Sequence, residues 1–409
     1  MHSPVPDAAR SDVVVIGAGI AGLALALALG DAGLQVTVVE ARPLVPPELP
    51  ADYGTSHFDP RVSALTPRSR EFLESHGAWA AIADYRSCAY RHMTVWDAEG
   101  TGRVEFDHAE VDATALGYIV ENRAIVSALL ARAEAVPAIR LSGGVGLSDC
   151  GVAASGDMCV ELEDGRLLEA ELVVAADGAL SRVRDLMDFR TREWDYGHRA
   201  VVTTIEVEQS HRETAWQRFL PTGPLALLPL PGADGRHYCS IVWSAVEALA
   251  DELLAFDDVA FRQALESASE ACLGAVLDCA PRSAFPLRQR HATEYVQPGV
   301  ALVGDAAHTI HPLAGQGINL GLQDVAVLAE ELCAGRARGV PLGQLELLRR
   351  YQRRRKGENL LMMTAMDGFK RLFEQQSLPV RWLRNTGMRG VDRMLPLKQQ
   401  LMRHAMGLG

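Results

Sequence analysis

"VVVIGAGIAGLALALALGDAGLQVTVVEARP", residues 13–43, is the stretch on which the fold turns. A β-branched run passes through three glycines into alternating Ala and Leu, then into a second β-branched run. "DVVVI" and "QVTVVE" read as strands and "AGLALALALGDAG" as a buried helix between them, one βαβ unit of about 30 residues. Gly17, Gly19 and Gly22 fit G-x-G-x-x-G directly after the first strand. Gly17 permits the tight turn, Gly19 lets a pyrophosphate approach the backbone, and Gly22 lets helix and strand pack closely. The start of the helix then offers free N–H groups and a positive dipole end to the phosphates. Glu40, at the end of the second strand, suits ribose hydroxyls and would repel a 2′-phosphate. This constellation predicts a dinucleotide site without choosing between NAD and FAD.

The same run is uncharged from Val13 to Gly30, nearly the length of a membrane span, and lies where a signal peptide would. The first ten residues hold one Arg and one Asp, so a basic leader region is absent, and the change of texture within the run favours strand, turn and helix. At 409 residues the chain is too long for one small core. A length of about 150 residues per domain suggests two or three domains. With 48% apolar and 22% charged residues the composition is that of an ordinary globular protein, and a net charge of −12 argues against nucleic acid as a partner. Seven scattered cysteines without a C-x-x-C read as reduced, buried thiols of a cytoplasmic protein.

Further along, residues 41–60 are Pro-rich and read as a loop. "RSREFLESHGAWAAIA" and "NRAIVSALLARAEAV" read as helices, and "YRHMTVWDAEG" with "GRVEFD" as a strand pair. "MCVELEDGRLLEAELVVAADG" reads as two strands about an Asp-Gly turn, then a third, buried strand. Between about 190 and 290 the texture changes. "RAVVTTIEVE", "LALLPLPG" and "HYCSIVWS" are strand-like, and "VEALADELLAFDDVAFRQALES" is helical. This block reads as an α+β insertion in an α/β nucleotide-binding domain. After "ALVGD" the chain is expected to be helical to its end.

Two further segments suit the same dinucleotide. In "ELVVAADGALSRVRDLM" a buried strand ends at Asp177-Gly178, and a helix with Ser181, Arg182 and Arg184 follows. In "VALVGDAAHTIHPLAGQGINLGLQD" Asp305 ends a strand, where it could accept hydrogen bonds from ligand hydroxyls. Pro312 biases His311 to an extended shape. Gly315 and Gly317 let a flat ring lie against the backbone, and a helix from near Ile318 points its positive end at that ring. No G-K-[ST] follows, so this is not a nucleoside-triphosphate loop. Asp305, His308 and His311 also match metal-ligand spacing, but the proline and glycines break the helix that would hold them on one face, and no metal is expected.

Those segments, in that order, resemble the single-component flavin-dependent aromatic hydroxylases of the p-hydroxybenzoate hydroxylase fold. "DPRVSAL" (59–65), "IVENRAI" (119–125), "VVAADGALSRVR" (173–184) and above all "ALVGDAAHTIHPLAGQGINLGLQDV" (301–325) look most like the ubiquinone-biosynthesis hydroxylases of the UbiH/UbiF/VisC type. "SCAYRHMTVWDAEG", "WDYGHRAVVTTIE", "CSIVWS" and "RRYQRRRK" further resemble the VisC (UbiI) member. The resemblance implies a Rossmann-like FAD-binding domain in three parts (1–85, 116–190, 288–345). It implies an inserted β-sheet substrate domain (86–115, 191–287) and a helical C-terminus (346–409). FAD is the implied cofactor. Gly17, Gly19, Gly22 and Glu40 would hold its ADP part, with Arg42 and Asp177 in the same cofactor-binding set. Arg61, Asn122 and Arg123 would reach the pyrophosphate or ribityl chain, as would Asp305. Pro312, Gly315, Gln316, Gly317, Ile318 and Asn319 would line the isoalloxazine.

The implied reaction is ring hydroxylation of a polyprenylated phenol in ubiquinone biosynthesis, most like C5 hydroxylation of 2-polyprenylphenol, through a flavin C4a-hydroperoxide. O₂ is the co-substrate, and NAD(P)H or an external reductase is the electron donor. A dry pocket protects such chemistry, and a helix start near the flavin stabilises its anionic reduced form. No catalytic base is assigned; Pro312, Gly317 and Asn319 are the flavin-adjacent candidates. A soluble aromatic substrate and a non-catalytic flavin scaffold remain open, as does self-association into a homo-oligomer. Residues 349–409 carry 14 Lys/Arg against 4 Asp/Glu and seven of the 11 methionines. Met362, Met366, Phe369 and Phe373 recur at helical spacing. The tail reads either as a surface helix packed on the domain with a solvated basic face, or as a docking surface for the inner face of an anionic membrane or for a biosynthetic complex.

Overall fold

The computed structural model of the chain describes residues 9–233, 235–309, 317–374 and 378–407. Two large sheets and a small one organise it. Across the first run Val296–Gln297, Val300–Leu302, Leu167–Ala175, Ala9–Ile16, Val36–Glu40 and Ile139–Gly143. From Val300–Leu302 onward these neighbours are parallel. Their residues need no polar alternation, because both faces of such a sheet are covered. Val13, Val14, Val15, Val38, Val173 and Val174 are all closed to water. The helix Ile20–Asp31 is apolar on every side, and it is buried from Gly22 through Gly30.

Among the described residues the second sheet has nine strands and is mainly antiparallel. Its axis is Thr191–Val207, flanked by His237–Val246 and Ser283–Ala292. Side chains alternate between its faces. Val201, Ile205, Leu225, Leu227, Ile241 and Trp243 form a core with the helices Glu247–Ala255 and Asp258–Ser269. On the opposite face Ala226, Leu228 and Tyr238 meet Ala64, Cys88 and Ile119 of the small sheet Val62–Leu65, Gly117–Glu121 and Ser87–Tyr90.

Four local features differ from what the sequence predicts. Residues 167–175 form one strand, not two: its first half pairs antiparallel with Met158–Leu162, and its full length pairs parallel with Ala9–Ile16. The helix expected over 246–267 is two, because Asp257 caps a new start by accepting from the Ala260 N–H at 2.8 Å. Thr214–Leu220 is a strand that polar Gln217 and Arg218 disguised; Arg218 is buried, donating to the Ala268 carbonyl at 2.7 Å and pairing with Glu270. The strand Ser283–Ala292 also runs through position 287, where the substrate region was expected to end.

The C-terminal region is helical: Gly317–Ala337, Leu345–Glu374, Leu378–Arg393 and Leu395–Ala405. Its basic face is not simply solvated. Arg355, Arg384 and Lys398 are buried and paired with Asp324, Asp97 and Glu110. Met363, Met402 and Met406 pack inward, whereas Met362 is half-buried; the side chains of Met366 and Phe369 lie outside the described residues. All seven cysteines are free thiols, and burial pushes those of Cys88 and Cys150 up to about 12.

Candidate cofactor site

The parallel register brings three loops to one edge. Ile16 pairs with Ala175, and Ala175 with Leu302, so Gly17, Asp177 and Gly304-Asp305 leave adjacent strands side by side at their carboxyl ends. That edge is where ligands bind in open α/β sheets. Gly17 has φ +104°, and a Cβ on it would lie 2.4 Å from the Ala176 carbonyl oxygen. A Cβ on Gly22 would lie 1.9 Å from the Gly17 oxygen. At Gly19 a Cβ would meet nothing within 4 Å. Gly17 and Gly22 therefore make the turn, and Gly19 keeps space beside it. Among the described residues no side chain caps the helix that starts after Gly19.

Carboxylates surround this edge. Glu40 accepts from the Ala18 N–H at 2.9 Å and the Arg42 N–H at 3.1 Å, so it braces the turn while keeping lone pairs for a ligand. The Arg42 side chain is exposed. Asp177 accepts from the Arg182 and Val183 N–H groups through Oδ2, at 2.7 and 3.2 Å. Its Oδ1 is buried without a partner among the described residues, and burial pushes the carboxyl up. Such an orphan acceptor suits a ligand hydroxyl. Asp305 is exposed in the turn Gly304–Ala306.

A second group sits on the small sheet. The Asn122 N–H donates to the Arg61 carbonyl at 3.0 Å, and Ser63 donates to Asn122 Oδ1 at 2.7 Å. The Arg61 side chain is exposed, with its guanidinium 4.8 Å from the Phe285 ring centre on the second sheet. Arg123 is tied to Glu121 at 2.6 Å and to Tyr85 at 3.3 Å, which fixes it within the protein. Asn319 is buried; it donates to the Ala64 carbonyl at 2.8 Å and accepts from the Thr66 N–H at 2.9 Å. Its amide thus anchors the start of the helix Gly317–Ala337 to the strand Val62–Leu65. Gly317 and Ile318 open that helix, as expected. Pro312, Gly315, Gln316 and His311 lie outside the described residues.

Sequence reasoning missed several groups. Asp59 bridges the loop by accepting from the Arg61 and Arg123 N–H groups, both at 2.9 Å. Arg86 is buried, donating to the Pro50 and Asp52 carbonyls at 2.9 and 2.5 Å and facing Glu121 at 3.5 Å. It holds the Pro-rich loop in place. His308, considered for a metal, instead donates through Nε2 to Asp324 at 2.5 Å. Among the described residues no three His, Cys, Asp or Glu side chains are grouped to hold a metal ion.

These features fit the adenine dinucleotide of FAD: an open glycine beside a bare helix start, an orphan acceptor and a bracing acid. The model of an FAD-binding domain family matches residues 10–363. Over 97% of its length the chain is 37% identical to the 3-demethoxyubiquinol 3-hydroxylase of Escherichia coli, covering 99% of that protein. The chain belongs to the FAD-dependent monooxygenase family. The mitochondrial ubiquinone biosynthesis monooxygenase COQ6 of Xenopus tropicalis is 37% identical, with 96% of this chain and 93% of that one covered. A crystal structure of pqsL, a probable FAD-dependent monooxygenase from Pseudomonas aeruginosa, superposes with a TM-score of 0.76 at 23% identity. It covers 93% of this chain and 100% of that one, and it shares the fold. In this FAD-dependent monooxygenase the helical C-terminus packs on both large sheets.

Proposed function

We propose that this chain hydroxylates the ring of a polyprenylated phenol in ubiquinone biosynthesis, with C5 of a 2-polyprenylphenol as the target of a VisC (UbiI)-type enzyme. The observation that carries the pathway is the 37% identity, along 97% of the chain, to a ubiquinone-pathway hydroxylase. That relative is named for 3-hydroxylation, so product analysis decides the ring position.

In this proposal Gly17, Gly19, Gly22 and Glu40 hold the ADP part of FAD, with Arg42 at the rim. Asp177, Arg61, Asn122 and Asp305 take the ribityl and pyrophosphate region, and the helix from Gly317 points its positive end at the ring system. Arg123 and Asn319 act by holding the loops that do so. Bound FAD supplies the oxygen-activating chemistry, with O₂ as co-substrate and NAD(P)H or a reductase as donor. The protein's part is to orient the ring and to keep water from it.

The substrate lives in a membrane. Among the described residues no helix is long and apolar enough to cross one. The C-terminal helices do expose Leu360, Leu361, Leu395, Leu397 and Leu401, with Arg353, Arg393 and Arg403 also exposed there. We assign these residues to peripheral contact with the inner face of the membrane, from the cytoplasmic side.

The test is turnover by the purified FAD enzyme, supplied with a reductant and O₂ and offered 2-polyprenylphenol, a demethoxyubiquinol or a soluble phenolic acid. Mass spectrometry should show one oxygen added to a prenylated phenol. Turnover of the phenolic acid alone would overturn the pathway, and FAD-loaded protein without any turnover would make it a scaffold.

A further inference from the structure

A buried polar cluster lies behind the Asp305 turn, and the reading above gives it no role. Asp324 stands seven residues after Gly317, about two helical turns, and so on the face of the helix that starts there. Its carboxylate is fully buried and accepts four hydrogen bonds. Oδ2 takes the Gly304 N–H at 3.1 Å and His308 Nε2 at 2.5 Å. Oδ1 takes Arg355 Nε at 2.8 Å and Asn359 Nδ2 at 3.1 Å. One oxygen therefore serves the turn, and the other serves the helix Leu345–Glu374.

The two Oδ2 donors stand on either side of Asp305. Ala306 and Ala307, which lie between them, are buried. Gly304 has φ +58°, and a Cβ there would meet Ala21 at 3.5 Å and the Gly321 backbone at 3.7 Å. Tyr351 donates to the Leu302 carbonyl at 2.7 Å and holds the strand just before the turn. Burial pushes the Asp324 carboxyl up, but His308 and Arg355 outweigh it and hold it below the ordinary range. The anion is thus retained where a solitary buried carboxylate would protonate.

We propose that Asp324 is a positioning residue: through Gly304 and His308 it presets the Asp305 turn, and with it the start of the helix at Gly317, for FAD before FAD arrives. A preset turn loses less freedom on binding than a mobile one, so the effect is on cofactor affinity. This rests on the assignment of Asp305 to FAD.

The experiment compares FAD dissociation constants, by flavin fluorescence, for the wild-type chain and for His308→Ala, His308→Gln and Asn359→Ala. His308→Ala removes a donor to the turn-side oxygen, and His308→Gln restores an amide donor. Asn359→Ala removes a donor to the other oxygen. His308→Ala should raise the dissociation constant by about tenfold or more, the scale of one hydrogen bond to a charged group. His308→Gln and Asn359→Ala should stay within about threefold of wild type, although Asn359→Ala lowers the melting temperature. Unchanged affinity in His308→Ala, or equal weakening in Asn359→Ala, would overturn the proposal. Should His308→Ala not fold, hydrogen exchange of the wild-type chain stripped of FAD decides: slow exchange at residues 304–308 supports a preset turn, and exchange as fast as in exposed loops sinks it. A wild-type chain that binds no FAD would refute the cofactor assignment itself, a separate result.

Discussion

Close approach is achieved by opposite means at the two ends of the chain. Around Gly17 and Gly22 side chains are absent, and backbone lies where a Cβ would stand 2.4 or 1.9 Å from a carbonyl oxygen. Around Arg384 the contacts are charged and crowded. Its Nε donates to Asp97 Oδ2 at 2.8 Å, its Nη1 to the Phe373 carbonyl at 3.1 Å, and its guanidinium lies 4.8 Å from the Phe373 ring centre. Phe373 in turn stacks on Phe219 at 3.8 Å. Both partners of the ion pair are about 1% exposed. The glycine turn depends on what is missing, so any added atom breaks it. The ionic clamp depends on balance, so removing one partner is worse than removing both.

Gly22→Val carries the largest expected effect. Its Cβ must displace the Gly17 carbonyl, and no rotamer relieves a backbone overlap. The variant should yield no folded, yellow protein, as read by soluble expression and flavin absorbance. A yellow variant melting like wild type would break the first half of the comparison.

Arg384→Ala comes next. Asp97 would stay buried without its arginine, keeping the Asn385 amide and the Glu99 N–H, both at 3.1 Å. An uncompensated buried charge costs about 3–5 kcal/mol, measured here as a lower denaturant midpoint and faster proteolysis of the C-terminal helices. Replacing Asp97 by Ala as well should recover part of that loss. A double variant less stable than Arg384→Ala would show that the clamp works by packing, not by charge balance.

The same contrast explains what could be read from the sequence. The βαβ unit and its glycines are local: strand period, turn and helix follow one another within residues 12–40, and the structure has Ala9–Ile16, Ile20–Asp31 and Val36–Glu40. The helix start at Gly317 was legible for the same reason. The anchoring role of Asn319 was not legible, because Ala64 and Thr66 are more than 250 positions away. Asp324 carried a signal that could have been used: an acid two turns into a helix, on the face of its start, in an otherwise uncharged run. Asp97 and Arg384 carried none. They are 287 positions apart, and a basic tail gives no hint of which arginine turns inward.

The smallest expected effect on stability, and the sharpest for the comparison, belongs to Gly19→Ala. Gly19 has φ −74°, which any residue adopts, and its Cβ would enter open space. The fold should therefore hold to within about 0.5 kcal/mol. Under the proposed FAD assignment the methyl group would nonetheless stand in the path of the pyrophosphate to the helix start, so FAD affinity should fall by about tenfold or more, as one lost charge-assisted hydrogen bond implies. Melting temperature and flavin titration on the same sample separate the two. Gly22 and Gly19 lie three positions apart in one motif, yet the first excludes a side chain for the protein's own packing and the second for its ligand. Wild-type FAD affinity in Gly19→Ala would remove that distinction and move the phosphates away from this turn.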